Sequence, residues 1–251
     1  MTGPIATAGE AHAALRALPV LSLDAILRGD RPLVLAPHPD DESLGCGGLL
    51  ALCAAAGIPG SVAMLTDGAA SHPGSPSWPP HRLAAERERE CRAALSELGH
   101  PLDRLRFHRF PDAALPNAGP EFERAVSAVL EQADADDCRL LLAPWIADPH
   151  CDHEAAQRIA RAAASRSNRR LLSYPVWGWT LPPDAPLPEP GRLRGCRLPV
   201  DPVRPTKRRA VAAHRTQAGT VIADAPDAFV LPSVLLDACD QPFETFIETV
   251  P

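Results

Sequence analysis

Two short stretches carry side chains that packing alone does not call for. The first, Pro37-His-Pro-Asp-Asp-Glu42, follows an apolar run at 33–36 and puts His38, Asp40, Asp41 and Glu42 on one turn. Three adjacent acids at the mouth of a buried strand are costly unless a cation sits there, because coordination keeps carboxylates ionised where desolvation would neutralise them. The second, Pro149-His-Cys-Asp-His153, follows a similar run at 139–143. His38 and Asp41 are separated by two residues, so a tight turn can aim both at one point. His150 and His153 open a helix, where residues three apart share a face. Two imidazoles and one carboxylate around zinc leave a position for water, whose pKa falls to about 7. One carboxylate must then be free to take its proton, and Asp40 is the candidate.

These residues need elements to position them. Apolar runs at 33–36, 61–66, 104–108, 139–143 and 170–174 read as strands, and amphipathic stretches to about 56 and at 81–98, 120–133 and 153–165 read as the helices between them. Five alternations predict an α/β fold: a Rossmann-like, mostly parallel sheet of five or more strands with helices on both faces. The strands end, in order, at His38/Asp40/Asp41, Asp67, Asp112, His150/Asp152/His153 and Tyr174. Ligands of open α/β sheets bind beyond the carboxyl ends of the strands, so these residues are expected to converge there. The second stretch should arrive on the strand beside the first. Residues 10–28 read as one or two short helices. After 176 a proline-rich bridge leads to a strand at 192–198, a helix at 204–216 and a C-terminal piece, FETFIET. The whole is expected to be one domain: a helical appendage at 1–30, the core at 31–176, and an extension packed on it at 177–251.

Composition narrows the function. A net charge of -6 offers no basic surface for nucleic acid or an anionic membrane. Residues 1–20 have no signal-peptide pattern, and no apolar run is long enough to span a bilayer. Seven scattered cysteines without a Cys-x-x-Cys suit reduced thiols and a cytoplasmic location. The 29 prolines cluster at 72–80, 175–190 and 199–205, which predicts stiff rim loops. Gly45-x-Gly-Gly48 does not match a dinucleotide fingerprint, and the acids before it would repel a pyrophosphate.

Ala36-Pro-His-Pro-Asp-Asp-Glu42 with Gly45-Cys-Gly-Gly48, followed by Pro149-His-Cys-Asp-His153, resembles the LmbE-like, or PIG-L, family of zinc-dependent N-acetylglucosaminyl deacetylases. Thr66-Asp-Gly68, Arg87-x-x-Glu90, Phe110-Pro-Asp112, Tyr174-Pro-x-Trp177 and Lys207 to Gln217 extend the resemblance over roughly residues 31–217. It implies zinc, with Fe2+ as the alternative, held by His38, Asp41 and His153. That corrects the reading from spacing: one histidine of the pair binds metal, not both. The resemblance makes Asp40 the general base. His150 becomes the residue that polarises the carbonyl oxygen or protonates the leaving amine, and Asp152 the residue that orients His150. Arg87, Asp112 and Tyr174 would bind substrate. Cys151 stands where the family commonly has proline. The implied partner is a small N-acetylated sugar or conjugate, with neither nucleic acid nor membrane, and a homo-oligomer is compatible with this. The implied reaction removes an acetyl group. The alternatives are an amidase on a thiol-sugar conjugate or N-acylated natural product, and a non-catalytic Rossmann-like metal-binding module.

Overall fold

The structure, a computed structural model, describes residues 4–250. The elements in chain order are β1 (Ile5–Thr7), α1 (Ala8–Arg16), α2 (Leu23–Leu27), β2 (Arg31–Ala36), α3 (Asp41–Ala55), β3 (Ser61–Thr66), α4 (Pro80–Glu97), β4 (Leu105–Phe110), α5 (Gly119–Ala135), β5 (Cys138–Pro144), α6 (Cys151–Ser167), β6 (Arg170–Tyr174), β7 (Pro186–Gly191), β8 (Gly195–Pro199), α7 (Arg204–Ala213), α8 (Ser233–Cys239) and β9 (Phe243–Glu248). Seven strands form the central sheet in the order β4-β3-β2-β5-β6-β9-β8. From β4 to β6 the strands run parallel, and β9 and β8 complete the sheet antiparallel. β2 and β5 are neighbours, so the two chemical stretches leave adjacent strands at the point where the winding reverses, the ordinary binding crevice of such sheets.

The strands are apolar throughout because both faces are covered. Along β2, Val34 and Ala36 face one core, with α3 and α4, while Leu33 and Leu35 face the other, with α5 and α6. This is the two-residue alternation of a strand. α3 lies close on the sheet: a Cβ on Gly45 would overlap the ring of Tyr174, and one on Gly48 would overlap Val200. The glycine run therefore serves close packing, not phosphate binding.

Four regions differ from the sequence expectation. The N-terminal appendage begins with a strand, β1, that pairs with β7, and α1 follows it behind a Thr7/Glu10 capping box. The expected strand at 192–198 is β8, which begins three residues later, and the proline-rich bridge before it holds a further strand, β7. The helix expected at 204–216 stops at Ala213, and residues 214–217 make side-chain bonds instead. FETFIET does not merely pack on the core: as β9 it enters the sheet between β6 and β8. Its Glu244 accepts from the amides of Gly48 (2.6 Å) and Leu49 (2.8 Å) and from Lys207 Nζ (2.7 Å), all out of solvent. Among the described residues no helix is long and apolar enough to cross a membrane.

Candidate active site

The turn after β2 is tied down on every side. Proline at 37 and 39 keeps His38 out of a helix. The Pro37 carbonyl accepts from the Thr66 amide (3.0 Å) and hydroxyl (2.8 Å), and the Pro39 carbonyl accepts from Arg87 Nη2 (2.7 Å). Asp40 takes φ 147° and ψ −29°, a conformation costly for a residue with a Cβ. Its amide donates to Glu42 Oε2 (3.0 Å) and its carbonyl accepts from Leu44 (2.9 Å), which holds it there. Asp41 and Glu42 then occupy the first turn of α3, where the helix dipole favours negative charge.

Asp41 Oδ2 is the hub of the cluster. It lies 3.2 Å from His38 Nδ1 and 3.2 Å from His153 Nε2. A tetrahedral cation with bonds of about 2.0–2.1 Å spaces its donor atoms about 3.3 Å apart. His153 Nε2 is buried and makes no hydrogen bond despite this proximity. Its other nitrogen lies 3.0 Å from Asp148 Oδ2. That carboxylate fixes the Nδ1–H tautomer, as the outer partner of a metal-bound histidine does. His38 repeats the arrangement in mirror form, with Nε2 3.0 Å from Asp152 Oδ2 and 3.2 Å from Asp112 Oδ1, leaving Nδ1 for the hub. His150 brings a third ring nitrogen within 4.8 Å of those of His38 and His153.

The charges point the same way. Burial works against a proton on His38, but the carboxylates of Asp112, Asp152 and Asp41 outweigh it and raise the pKa well above the usual value. Burial likewise opposes, and Asp41 and Asp148 overcome, a rise of His153 to about 9. Burial would raise Asp41, yet His153 and His38 hold it well below the ordinary carboxylate range. The protons on these rings answer a demand for positive charge set by Asp41, Asp112, Asp148 and Asp152. A divalent cation answers the same demand and displaces the protons as it binds. The residues fit a divalent metal.

Asp40 lies beside this cluster, 5% exposed. Burial lifts its pKa to about 6, against the pull of the Arg87 guanidinium. His150 is half-buried, and Asp152 N–H donates to its Nδ1 (3.2 Å), which leaves the proton on Nε2. Burial, together with His38 and His153, lowers its pKa, so the ring is neutral at pH 7.

Three expected roles do not match the geometry. Asp152 does not orient His150 through its carboxylate. That group accepts from the amides of Ala113 (2.8 Å) and Leu115 (2.9 Å) and contacts His38; only its backbone meets His150. Tyr174 is not available to substrate: its ring is fully buried under Gly45 and its hydroxyl donates to the Leu35 carbonyl (2.7 Å). Arg87 borders the cleft, but it is 2% exposed and its Nη1 and Nη2 donate to Gly68 O (2.8 Å), Pro39 O and Asp40 Oδ2 (3.2 Å), so it braces the turn, with Nε left without a partner. Asp112 does line the cleft, held by the Ala70 amide (2.8 Å). Asp67 of the expected convergence caps its own turn at Ala69 instead (3.1 Å). Cys151 is exposed as a residue, and the partial burial of its thiol and the charge of Asp152 push its pKa up.

Sequence reasoning passed over two partners. Asp148, two residues before His150, is fully buried and accepts from the amides of Val176 (3.0 Å), Trp177 (3.1 Å) and Gly178 (2.7 Å) while it holds His153. An acid just ahead of a metal histidine is a readable signal. His214 is not: its Nε2 meets Glu42 Oε1 at 3.0 Å from 172 residues away. The cleft in front of these residues has a volume of about 270 Å³, with Trp177, Phe229 and Leu231 on its far side.

Residues 33–164, more than half of the chain, match the family described as PIG-L, GlcNAc-PI de-N-acetylase. The chain belongs to the PIG-L family. The matched span holds both halves of the histidine–aspartate cluster, while Phe229 and Leu231 lie outside it. A 2'-N-acetylparomamine deacetylase of Streptomyces fradiae is 32% identical over 168 residues, 59% of this chain and 57% of that one. The chain thus spans little more than half the length of that curated relative. Among solved structures, an A40926 pseudoaglycone deacetylase is 25% identical with a TM-score of 0.64, covering 87% of this chain and 96% of that one. A conserved protein of Thermus thermophilus is 27% identical with a TM-score of 0.62, covering 88% and 96%. The helix-flanked, mostly parallel sheet is the fold this PIG-L chain shares with them. PIG-L proteins are metal-dependent, and this member has the donor cluster for a metal.

Proposed function

We propose that the protein is a metal-dependent hydrolase that removes the acetyl group from an N-acetylated amino sugar or its conjugate. One observation carries this reading. A cation cluster built on Asp41 stands beside a buried carboxylate, Asp40, which the cluster does not need and whose pKa burial lifts to about 6. A binding module would have no use for that spare base, which speaks against a non-catalytic role. The deacetylases among the similar proteins support the choice of substrate class.

His38, Asp41 and His153 would hold the metal, zinc by preference for a nitrogen- and carboxylate-rich tetrahedral set, with Fe2+ second. The bound ion supplies Lewis acidity to a water and to the amide carbonyl. Asp40 takes the proton of the water as its oxygen attacks the carbonyl carbon. A base with a pKa near the working pH is effective in that step. His150, neutral and carrying its proton on Nε2, donates a hydrogen bond to the carbonyl oxygen as negative charge builds there. The tautomer favours this role over protonation of the leaving group. Asp40 then returns its proton to the nitrogen, the C–N bond breaks, and the second proton of the water passes from the new carboxyl group to the amine, so that acetate and an ammonium are the products. Asp112, Asp148 and Asp152 orient the two metal-holding rings, and Arg87 braces Asp40.

The remaining parts of the proposal follow from the sequence. The chain is one deacetylase domain, with 1–30 as appendage, 31–176 as core and 177–251 as extension. It works in the cytoplasm on a small molecule, with neither nucleic acid nor membrane as partner, alone or as a homo-oligomer. The test is amine release from a panel of N-acetylated amino sugars beside non-sugar amides, run with metal analysis. Close to one zinc or iron per chain and turnover confined to the sugars are expected. A protein that can be neither isolated with metal nor reconstituted would refute the proposal.

A further inference from the structure

The wall of the cleft that faces the metal cluster has a charge pattern of its own. Two loops make it, and they are fastened to each other. The Phe229 amide donates to the Ser71 carbonyl and the Leu231 amide to the Gln217 carbonyl, each at 2.9 Å. The Asp224 carboxylate accepts from Ser75 Oγ (2.5 Å) and the Ser77 amide (3.0 Å). Asp227 is therefore held at the cleft two residues before an anchored backbone. Its exposed carboxylate has no hydrogen bond or ion pair among the described residues. Phe229 and Trp177 stand edge to face beside it, 5.7 Å between ring centroids and 62° between planes.

A second observation is independent of that acid. Gln217 lines the same cleft and is 1% exposed. Its Nε2 donates to Ser71 Oγ (3.3 Å) and Thr216 Oγ1 (3.2 Å), while its Oε1 has no partner. A buried acceptor without a donor is an expense that a ligand N–H or O–H removes. The cation inventory completes the pattern. Among the described residues Arg87 is the one arginine or lysine on the cleft wall; its Nη1 and Nη2 are committed to Gly68, Pro39 and Asp40, and its Nε, without a partner, is out of solvent. A phosphate or carboxylate on the substrate would find no exposed, unpaired guanidinium or ammonium here. A substrate ammonium would find Asp227, the aromatic faces of Trp177 and Phe229, and the Gln217 carbonyl.

We propose that the substrate carries, besides its N-acetyl group, a free protonated amine, and that Asp227 is the residue that selects for it. This rests on the amide-hydrolase reading and names the substrate class of the same site: partly acetylated, cationic amino sugars rather than neutral or phosphorylated ones. Two disaccharides differing by one acetyl group test it. N,N'-diacetylchitobiose is neutral, and its mono-N-acetyl counterpart bears one ammonium.

With the metal-loaded enzyme at low salt, kcat/KM for the ammonium-bearing sugar should exceed that for the neutral one about tenfold, the combined scale of an exposed ion pair and a cation on a ring face. The advantage should shrink as salt is added. Asp227→Asn should bring the ratio toward one, through KM. A ratio of one in the unaltered enzyme, or a tenfold ratio that survives Asp227→Asn, overturns the proposal. Calorimetric binding of fully deacetylated chitobiose against N,N'-diacetylchitobiose, in both proteins, reads the same preference without turnover. Amine release from neither sugar, with the binding preference intact and lost in Asp227→Asn, would sink the hydrolase reading and leave the ammonium site standing.

Discussion

On the sheet side of the cleft every carboxylate has a partner. Asp41 bridges two rings, Asp152 takes two amides and a ring, Asp148 takes three amides and a ring, and Asp40 is braced by Arg87. On the loop side, Asp227 has none among the described residues, and backbone hydrogen bonds fix the wall while its side chains stay open. The first side is a set of groups preorganised around a charge that must be held in one geometry. The second is a surface against which a substrate can be read. The family match contains Asp40, Asp41, Asp148 and Asp152 together with the first of the two loops, and stops before the 218–232 loop. On the proposed reading, chemistry and selectivity would be separable in this molecule.

Asp40→Asn is the sharpest way to break that division. It should cost roughly 10²–10⁴ in kcat, the usual worth of a general base, with metal content unchanged by elemental analysis. Loss of metal would make Asp40 part of the cation cluster instead. Next is Lys207→Met, which strands Glu244 as a buried charge and should destabilise by about 3–5 kcal/mol in urea unfolding. A smaller loss would mean that the Gly48 and Leu49 amides suffice for that carboxylate.

A group on neither side separates stability from activity. Burial, with Arg104 nearby, lowers His100 from 6.5 to about 4. The unfolded chain therefore takes that proton first as pH falls. Stability is whole above pH 6.5 and is lost down to about pH 4, by about 3 kcal/mol in total. His100→Gln should flatten this part of the stability profile without moving the pH–rate curve, and an unchanged slope would remove His100 from the account. Asp148→Asn should weaken metal binding about 10–100-fold by freeing the His153 ring, as measured by competition with a chelator. The smallest effect is expected on the loop side. Asp224→Ala unties the two loops and should raise KM while kcat, metal content and melting temperature stay as they are. A change in metal content would show that the two sides are coupled.

Most of the sheet side was legible in the sequence because its residues sit next to the strands that carry them. Apolar runs ending at His38 and His150 announce both the parallel sheet and its edge, and β2 and β5 are neighbours as the winding requires. Partners supplied from far away were not legible. Nothing near Glu42 announces His214, and nothing in FETFIET announces that Glu244 will seat on α3. Tyr174 was misjudged for the same reason: a tyrosine at a strand end reads alike whether its hydroxyl faces substrate or the Leu35 carbonyl. Arg87 looked free because its acceptors are backbone carbonyls, which no side-chain pattern reveals. The proline-rich stretch at 72–80 did read as a rim, but its tie to Asp224 spans 149 residues.

β9 lies inside the sheet although it is the last element of the described residues. Its Glu244 closes on the Gly48 amide across 196 residues. At a synthesis rate of about 5–20 residues per second, the turn carrying His38 and Asp41 leaves the ribosome roughly 10–40 s before the strand that seats its helix. During that interval the Gly48 and Leu49 amides of α3 are without the Glu244 carboxylate, and Lys207, once made, still lacks its counter-ion. The donors are present early, but their spacing is not. The metal centre thus reaches its final form only after the whole core has been translated, and a cation met during synthesis finds a looser set of ligands than one met afterwards.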